Sequence, residues 1–471
     1  MENDSINPIL NGDYPDPTIV CVGGDYYLTY SCAALTPGLK ILHSRDLVHW
    51  RTLCSAVENA GCIAAPELIY LQGLFYLYYP ADGTNYVVTA KAPQWPWSQP
   101  VDLEIGGIDP GHVTGPDGKR YLYMNGGVAF ELSADGLRVE RSLGQLYGGW
   151  DYAPEMRTEG KWLESPKLFK REGLYYMVSA QGGTAGPSTA HMCVVARARH
   201  PLGPWENAPG NPLLHTWSRS ERWWCKGHGT IFEGADAQWY VVYHAYERGY
   251  LNHGRKALVQ KVEWTQDAWP YVPAQAKTPA PVPPLEPGVD APRDDFAGGR
   301  AKPFWAFYGR QEPGRIEPSH RGGLRMAGRG ESIADACPMT LPCGLHAYTV
   351  TADVELEGEG TGGLTLFYSP QAHCGIALTA SGIRLFKYGR PYVLIPVILN
   401  RATLRIVNDE HEVSYQYRTP GGPWQLIDYG CEVSGLNHNA LGGYNSLRPG
   451  VFACGKGAAH FSKFSVDAID A

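Results

Sequence analysis

The stretch DPTIVCVGGDYYLTYS, residues 16–31, runs from a short apolar strand through a Gly-Gly turn into an aromatic strand. Strands joined by so short a turn form a β-hairpin. The same order recurs four times, each time beginning near a proline or glycine. The repeats are APELIYLQGLFYLYYP (65–80), DPGHVTGPDGKRYLYMN (109–125), ESPKLFKREGLYYMVSA (164–180) and GHGTIFEGADAQWYVVYHA (227–245).

The repeats return about every 40 to 60 residues, which is the spacing of propeller blades built from four-stranded sheets. Several are followed by a further strand, such as LKILHSRDLVHW (39–50) or MCVVARARH (192–200). We therefore predict an all-β chain in which residues 1–270 form a five-bladed β-propeller. An array of β-sandwiches is the alternative.

Residues 271–292 are rich in proline and alanine, which predicts a semi-rigid linker. A PxxP ligand for another protein is the alternative reading of this segment. Residues 293–471 alternate apolar and polar residues in segments such as GIRLFKYG (382–389) and ATLRIVND (402–409). This pattern predicts half-buried strands and a β-sandwich of the jelly-roll type. The sandwich either packs against the propeller or binds sugar on its own surface.

The composition excludes several classes of partner. With 471 residues and a formal net charge of -7, the chain offers no basic surface for nucleic acid or acidic membranes. Its 29 tyrosines and 14 tryptophans suit stacking on the apolar faces of sugars. The start, MENDSINPIL, has no basic head or apolar core, which predicts a cytoplasmic protein.

The eleven cysteines are odd in number and form no CxxC pair. They are therefore interpreted as reduced, mostly buried thiols. The oligomeric state stays open.

Polar residues open the five units at equivalent places, namely Asp16, Glu67, Asp109, Glu164 and His228. The innermost strand of each blade runs along the propeller axis, so these side chains are expected to converge on one funnel. Several acids in one poorly solvated cavity raise one another's pKa, which is costly unless the acids are used. The alternative is that they only form turns.

One of these acids, Asp16, lies in NGDYPDPTIV (11–20) between Pro15 and Pro17, which restrict the backbone on either side of it. We expect Asp16 to be aimed into the funnel. Asp13 is expected to be an ordinary loop carboxylate.

These motifs resemble glycoside hydrolase family 43 in order and spacing: YPDPTIV (14–20), IDPGHV (108–113), LESPKLF (163–169), KGHGTIF (226–232) and HGRKAL (253–258). The resemblance covers the N-terminal part. It implies a five-bladed propeller that removes terminal sugars with inversion. By motif, Asp16 would be the general base, Asp109 the modulator of the acid and Glu164 the general acid. The C-terminal part resembles the concanavalin-like domain that follows the propeller in many β-xylosidases of the family.

The chemistry needs both kinds of carboxyl group. Inverting hydrolysis uses an ionised carboxylate to activate water and a protonated one, about 6.5 to 9.5 Å away, to protonate the leaving oxygen. The resemblance further implies that Arg255 reaches sugar hydroxyls or the base, and that Glu67 supports the site. His228 would bind substrate or, through waters, a structural calcium ion. No cofactor is expected to be required.

One position departs from the family pattern. The family commonly has a tryptophan before the second-blade turn, where this chain has Ala64 in CIAAPEL (62–68). Trp223 and Trp224, or Trp150 with Tyr152, could supply the stacking ring instead. Otherwise the pocket is wider and accepts a furanose or a decorated sugar.

The sequence therefore predicts an exo-acting inverting glycoside hydrolase that removes terminal xylose or arabinofuranose from hemicellulose-derived oligosaccharides. A glycosidase for another furanose, such as galactofuranose, is one alternative. A carbohydrate-binding propeller without catalysis is the other.

Overall fold

The computed structural model describes residues 7–58, 61–94, 96–273, 292–310 and 312–469. The chain divides into two compact units. The first comprises Met1–Ala33, Pro37–Arg248 and Arg255–Glu286, and the second comprises Ala34–Thr36, Gly249–Gly254 and Pro287–Ala471. The predicted linker, 271–292, falls mostly on residues 274–291, which lie outside the described residues. Across the described ranges, every helix is too short or too polar to span a membrane.

Five antiparallel sheets form the first unit, which confirms the five-bladed propeller. Each sheet is one blade, and its strands follow one another along the chain, except that Leu35–Thr36, between the second and third strands of blade one, belongs to the second unit. Blade one contains Thr18–Val22, Asp25–Thr29, Gly38–Ser44 and Arg51–Val57; blade two Glu67–Leu71, Leu74–Ala81, Thr84–Ala90 and Val101–Asp102; blade three Gly111–Thr114, Arg120–Met124, Val128–Leu132 and Val139–Gln145; blade four Leu163–Arg171, Leu174–Gln181, Met192–Ala198 and Glu206–Asn207, with Leu214–His215; and blade five Trp223–Glu233, Trp239–Glu247, Arg255–Trp264 and Pro270–Tyr271. A short 3-10 helix, Asn125–Gly127, interrupts blade three.

The Gly-Gly turn of the first repeat closes a hairpin in which Val22 is paired with Asp25. Gly23 and Gly24 have φ angles of 61° and 90°. A two-residue turn of this hand needs positive φ at both positions, which glycine adopts without a steric cost. Apolar side chains then pack between neighbouring blades, as in the buried cluster of Tyr176, Val195 and Val241 between blades four and five.

The N-terminal segment closes the ring of blades. Leu10 exchanges two backbone hydrogen bonds with Ala257 of blade five, both of 3.3 Å. The Asn7 amide does the same with the backbone of Val259, in both directions and at 2.8 Å. Asp13 is buried and accepts a hydrogen bond of 3.0 Å from the backbone N–H of Arg255. The expectation of an ordinary loop carboxylate at Asp13 is therefore wrong, because Asp13 joins the two ends of the propeller.

The second unit is a β-sandwich, as predicted. Its strands are Leu35–Thr36, Arg293–Asp294, Ala306–Tyr308, Ile316–Pro318, Leu324–Ala327, Met339–Thr340, Tyr348–Ser369, Ala372–Thr379, Gly382–Lys387, Arg390–Pro396, Arg401–Asp409, Glu412–Arg418, Gln425–Glu432 and Arg448–Ala468. It also contains the α-helix His438–Leu441 and the 3-10 helices Leu251–His253 and Ala297–Gly299.

Two long strands, Tyr348–Ser369 and Arg448–Ala468, run side by side through the whole sandwich. The first half of Tyr348–Ser369 pairs with Arg401–Asp409, and its second half pairs with Ala372–Thr379. The chain can bend between these halves at Gly358 and Gly455, whose φ angles are 70° and 81°. Residues 348–369 thus form one continuous strand that takes part in both halves of the sandwich.

Candidate active site

One residue at the start of each blade has a left-handed backbone, which is unfavourable for a residue with a side chain. In blade order these residues are Asp16, Ala65, Asp109, Ser165 and His228, with φ angles of 53°, 32°, 60°, 51° and 49°. Two positions further along, the chain pairs with the second strand of the blade at Thr18, Glu67, Gly111, Lys167 and Thr230. The five left-handed residues are therefore the equivalent positions of the propeller.

Two of the residues that the sequence suggested as equivalent, Glu67 and Glu164, therefore do not occupy equivalent positions in their blades. Glu67 lies two residues beyond the left-handed Ala65, and Glu164 lies one residue before Ser165. Glu67 therefore belongs to the layer of Thr18 and Lys167, below the funnel. A bulge that interrupts the pairing between Glu164 and Lys167 is the reason that Glu164 takes a place of its own.

Glu67 is part of a buried ion pair. Its Oε2 lies 2.7 Å from Lys167 Nζ and accepts a hydrogen bond of 3.3 Å from Thr18 Oγ1. Lys167 Nζ also donates to the carbonyl oxygens of Pro66 and Pro110, at 2.8 and 3.1 Å. Lys167 thus ties blade four to blades two and three beneath the site, and the structure places Glu67 in a supporting layer.

Asp16 is buried and its two oxygens have separate donors. Arg255 Nη1 donates to Oδ1 at 3.0 Å, and Ser31 Oγ donates to Oδ2 at 2.5 Å. Burial alone would raise the pKa of Asp16, but the positive charges of Arg255 and His228 hold this pKa well below its usual range. Asp16 is therefore held in place and is ionised at neutral pH.

Asp109 behaves in the opposite way. Its Oδ2 accepts a hydrogen bond of 3.1 Å from the backbone N–H of Ser165, the residue that follows Glu164. Burial, together with the negative charges of Glu164 and Asp16, raises the pKa of Asp109 to about 7 against the opposing pull of His228. The two buried aspartates thus lie in environments that shift their pKa values in opposite directions.

His228 lies between Asp16 and the other two acids. Its Nδ1 is 3.4 Å from Asp16 Oδ1, whereas its Nε2 is 3.8 Å from Glu164 Oε2 and 4.0 Å from Asp109 Oδ2. Burial disfavours the charged ring, but the three carboxylates outweigh burial and raise the pKa of His228 to about 8. At neutral pH the ring is therefore a cation that separates Asp16 from Glu164.

The donor set does not suit a calcium ion. Asp109, Glu164 and His228 form one group within the described ranges whose ligand atoms lie within 4.8 Å of one another. Calcium prefers oxygen ligands, and the only oxygens in this group belong to Asp109 and Glu164. A protonated His228 has no lone pair for a metal. Direct binding of a calcium ion by these three side chains is therefore unfavourable, and a calcium ion held by His228 through waters stays a prediction.

The tryptophans singled out in the sequence occupy different places. Trp150 is half-buried, and its backbone N–H and C=O bond the side chain of Gln181 at 2.8 and 3.1 Å. Gln181 is paired with Leu163, next to Glu164, so Trp150 lies beside the strand of the acid, and its ring is 6.2 Å from that of Tyr152.

The neighbouring tryptophans of blade five differ from each other. Trp224 is half-buried, and its indole N–H donates to the carbonyl of Arg219 at 3.2 Å. Trp223 packs against the apolar cluster between blades four and five and carries the Arg222 guanidinium over its ring at 4.7 Å. Trp223 is therefore half-buried against the inter-blade core, and its role as a sugar platform stays a prediction.

Sequence analysis did not single out Trp162, which precedes Glu164 by two residues. Trp162 lies just before the strand Leu163–Arg171, which carries Glu164. The ring lies against Gly160 and Gly183, where a Cβ atom would come within 2.9 and 2.7 Å of it, and the residue is 47% exposed. A large, partly exposed aromatic ring that packs against two glycines and lies close in sequence to Glu164 is suited to stacking on a sugar.

Two buried histidines were also missed, although each interrupts or precedes an apolar strand. His244 lies in VVYHAY (241–246), and His191 directly precedes the strand Met192–Ala198. With His228 they form three nearly parallel rings, with centroids 5.3 to 5.4 Å apart. A Cβ on Gly227 would come within 1.4 Å of His191 Cδ2, so glycine at this position makes room for the group.

The comparisons with known proteins agree with this geometry. The model of the Glycosyl hydrolases family 43 matches residues 5–270, and that of the Beta xylosidase C-terminal Concanavalin A-like domain matches residues 293–467. A xylan 1,3-beta-xylosidase of a Vibrio species is 30% identical over 80% of this chain and 79% of its own.

Two further relatives bear different names. A non-reducing end alpha-L-arabinofuranosidase of Bacteroides ovatus is 33% identical over 56% of this chain and 53% of its own. The crystal structure of a xylan beta-1,4-xylosidase of Bacillus halodurans matches with a TM-score of 0.84 and 26% identity, over 98% of this chain and 99% of that one. Relatives at similar distance thus differ in the sugar and in the linkage that their names state.

Proposed function

Because this chain belongs to glycosyl hydrolase family 43, we propose that it is an exo-acting inverting hydrolase that removes a terminal xylose or arabinofuranose from short oligosaccharides. That the chain is a glycoside hydrolase follows from the family. The choice of xylose is supported by the name of the Vibrio relative, and arabinofuranose by that of the Bacteroides relative. The cytoplasmic location expected from the sequence stays a prediction.

The observation that carries the proposal is the place of His228 between two unlike acids. Asp16 stays ionised and is the proposed base: its carboxylate takes a proton from the water that attacks the anomeric carbon. Glu164, across the His228 ring, is the proposed acid that protonates the leaving oxygen. Its side chain is 22% exposed, against 7% for Asp16 and 2% for Asp109, so Glu164 is the acid that can reach the outgoing sugar.

Asp109 is the proposed modulator. It accepts a hydrogen bond from the backbone N–H of Ser165, which follows Glu164, and so helps to fix the chain that carries the acid. The His228 ring lies between Asp16 and these two acids. Asp16 thus activates the water on one face of the sugar, and Glu164 protonates the leaving group on the other face, as inversion requires.

The test replaces each proton-transfer group by its amide. Asp16→Asn and Glu164→Gln are expected to fold normally and to lower kcat on an aryl xyloside or arabinofuranoside by at least about a thousandfold, since both steps lose their proton carrier. Proton NMR of the released sugar shows whether the anomer is inverted. Near-native turnover by either variant, or retention of configuration, contradicts the proposal.

A binding propeller without catalysis is the second candidate, since the 29 tyrosines and 14 tryptophans of the chain suit stacking on sugars. Aryl glycosides of xylopyranose, arabinofuranose and galactofuranose discriminate between the two. Binding of xylose-containing oligosaccharides without release of any aryl group would favour the second candidate. Release from galactofuranose alone would favour another furanose.

A further inference from the structure

His244 is a buried side chain in direct contact with the backbone of Asp16. The backbone N–H of Asp16 donates to His244 Nδ1 at 3.0 Å, and His244 Nε2 lies 2.9 Å from Thr184 Oγ1. His244 has no exposed surface, and Asp16 itself is left-handed with φ 53°. Two elements of different blades, the strand Trp239–Glu247 and the turn after Leu174–Gln181, therefore meet at the turn that carries the base.

The hydrogen bonds determine which nitrogen of His244 carries the proton. A backbone N–H can only donate, so Nδ1 must offer its lone pair and the proton lies on Nε2, where Thr184 Oγ1 accepts it. In the other tautomer Nδ1–H would point at Asp16 Oδ1, 3.1 Å away, and would leave the buried Asp16 N–H without an acceptor. Asp16 Oδ1 already accepts from Arg255, so the first tautomer satisfies every group.

The charged neighbours keep His244 neutral. Burial first, then the positive charges of Arg255 and His228, lower the pKa of His244 to about 3 although Asp16 opposes this. The group faces Asp16, Arg255 and His228, and the ring of His191 lies 5.4 Å from it. His244 is therefore neutral at neutral pH, and the tautomer selected by its two hydrogen bonds keeps the lone pair on Nδ1.

We infer that His244, oriented by Thr184, is the positioning residue of the base: it holds the left-handed backbone of Asp16 and so aims the carboxylate at the attacking water. The inference rests on the proposed role of Asp16 as the base. A residue of this kind acts on the geometry of the reacting group, so its loss lowers kcat and leaves KM nearly unchanged.

The test uses the variants His244→Asn and His244→Gln, because the side-chain amide of each variant can replace one of the two ring nitrogens of His244. In His244→Asn the side-chain oxygen stands where Nδ1 was and can accept the Asp16 N–H. In His244→Gln the amide reaches Thr184 but leaves the Asp16 N–H without its acceptor. We expect His244→Asn to retain at least a tenth of the wild-type kcat, and His244→Gln to lose at least a hundredfold at equal KM.

A mere packing role predicts the reverse order, because asparagine leaves the larger cavity. Equal kcat values for the two variants, or a slower His244→Asn, would overturn the inference. Thermal unfolding shows whether both variants are folded. If either His244 variant is unfolded, Thr184→Ser and Thr184→Val provide the test instead. Thr184→Ser keeps an acceptor for His244 Nε2 and is expected to keep the wild-type kcat, whereas Thr184→Val removes the acceptor and should lower kcat. Equal kcat values for these two variants would overturn the inference.

The variant Asp16→Asn shows whether a negative result concerns the positioning role of His244 or the proposed role of Asp16 as the base. When Asp16→Asn is inactive and the two His244 variants do not differ, only the positioning role is wrong. When Asp16→Asn keeps its rate, the assignment of the base is wrong.

Discussion

At the scale of residues, the site depends on giving two buried aspartates opposite protonation states. Asp16 has an arginine, a serine hydroxyl and two histidines around it, whereas Asp109 has one backbone N–H and two acidic neighbours. Both are nearly inaccessible to solvent, so the difference comes from their neighbours. Such divergence among neighbouring acids is expected where one must ionise and another must resist ionisation.

The raised pKa of Asp109 predicts a pH-dependent stability. The group titrates near 7 in the folded protein and near 3.9 in an unfolded chain, so only the folded state keeps the proton between these values. The free energy of unfolding therefore falls as pH rises from about 4 to 7. Asp109→Asn removes this contribution and keeps an oxygen for the Ser165 N–H.

The measurement compares melting temperatures at pH 5 and pH 7.5. The Asp109→Asn variant is expected to lose less thermal stability between these values than the wild type does, while its kcat falls because the acid has lost its modulator. An equal or larger loss of melting temperature in the variant would show that Asp109 is not protonated in the folded protein.

A second prediction at this scale concerns Trp162. If its exposed ring stacks on the sugar next to the scissile bond, Trp162→Ala should raise KM for a xylose disaccharide by about tenfold, since an aromatic contact contributes about 1 kcal/mol or more. The KM for a small aryl glycoside should change little. Tyr70→Ala is the control, because Tyr70 lies near the other end of the innermost strand of its blade. Equal effects of Trp162→Ala on both substrates would contradict the role.

At the scale of elements, the start of each innermost strand has two layers with different tasks. The left-handed residues form the upper layer, which includes Asp16, Asp109 and His228. The residues two positions later form the lower layer, where Glu67 and Lys167 are paired. Because consecutive inward positions along a strand are two residues apart, a fixed register separates the reacting groups from their support.

The lower layer yields a prediction on stability. Lys167→Met should lower the free energy of unfolding by about 3 to 5 kcal/mol, because it leaves the buried Glu67 carboxylate without its partner. The double variant Lys167→Met, Glu67→Gln should recover a large part of this loss, since the unpaired charge is gone. Urea or thermal unfolding of the four proteins of this cycle gives the coupling between the two sites. Purely additive losses would show that the ion pair is not the cause.

At the scale of the whole molecule, the propeller is closed by its own N-terminal segment. The side-chain amide of Asn7 makes the pair of hydrogen bonds to the Val259 backbone that the backbone of a neighbouring strand would make. Asp13 adds a bond to Arg255, the residue that also contacts the base. The same closure thus stabilises the ring and fixes one side of the site.

Loss of this closure should be measurable. Asn7→Ala is expected to lower the melting temperature, because it removes two buried hydrogen bonds of about 1 kcal/mol each and leaves the Val259 groups without partners. Gln238→Ala, at an exposed position of the same unit, is the control. A change no larger than that of the control would mean that Asn7 does not contribute to closing the ring.

The sequence by itself determined the number of blades and the sandwich, and it predicted the three acids, which the structure places around His228. Each of these is a local matter, because a hairpin depends on its own turn and alternation, and a reacting group must be of a given chemical type. The motifs also pointed to His228 and Arg255 in the site.

Only the tertiary structure decided how these pieces are aligned. In blade four a bulge places Glu164 one residue before the left-handed Ser165, and in blade two Glu67 lies two residues beyond the left-handed Ala65, so Glu67 falls below the site. Trp223 packs against the inter-blade core, Asp13 closes the ring, and His244 contacts Asp16, which lies 228 residues away in the sequence. The reason is physical: register, burial and pKa are set by groups that are distant in sequence and become neighbours only when the propeller closes.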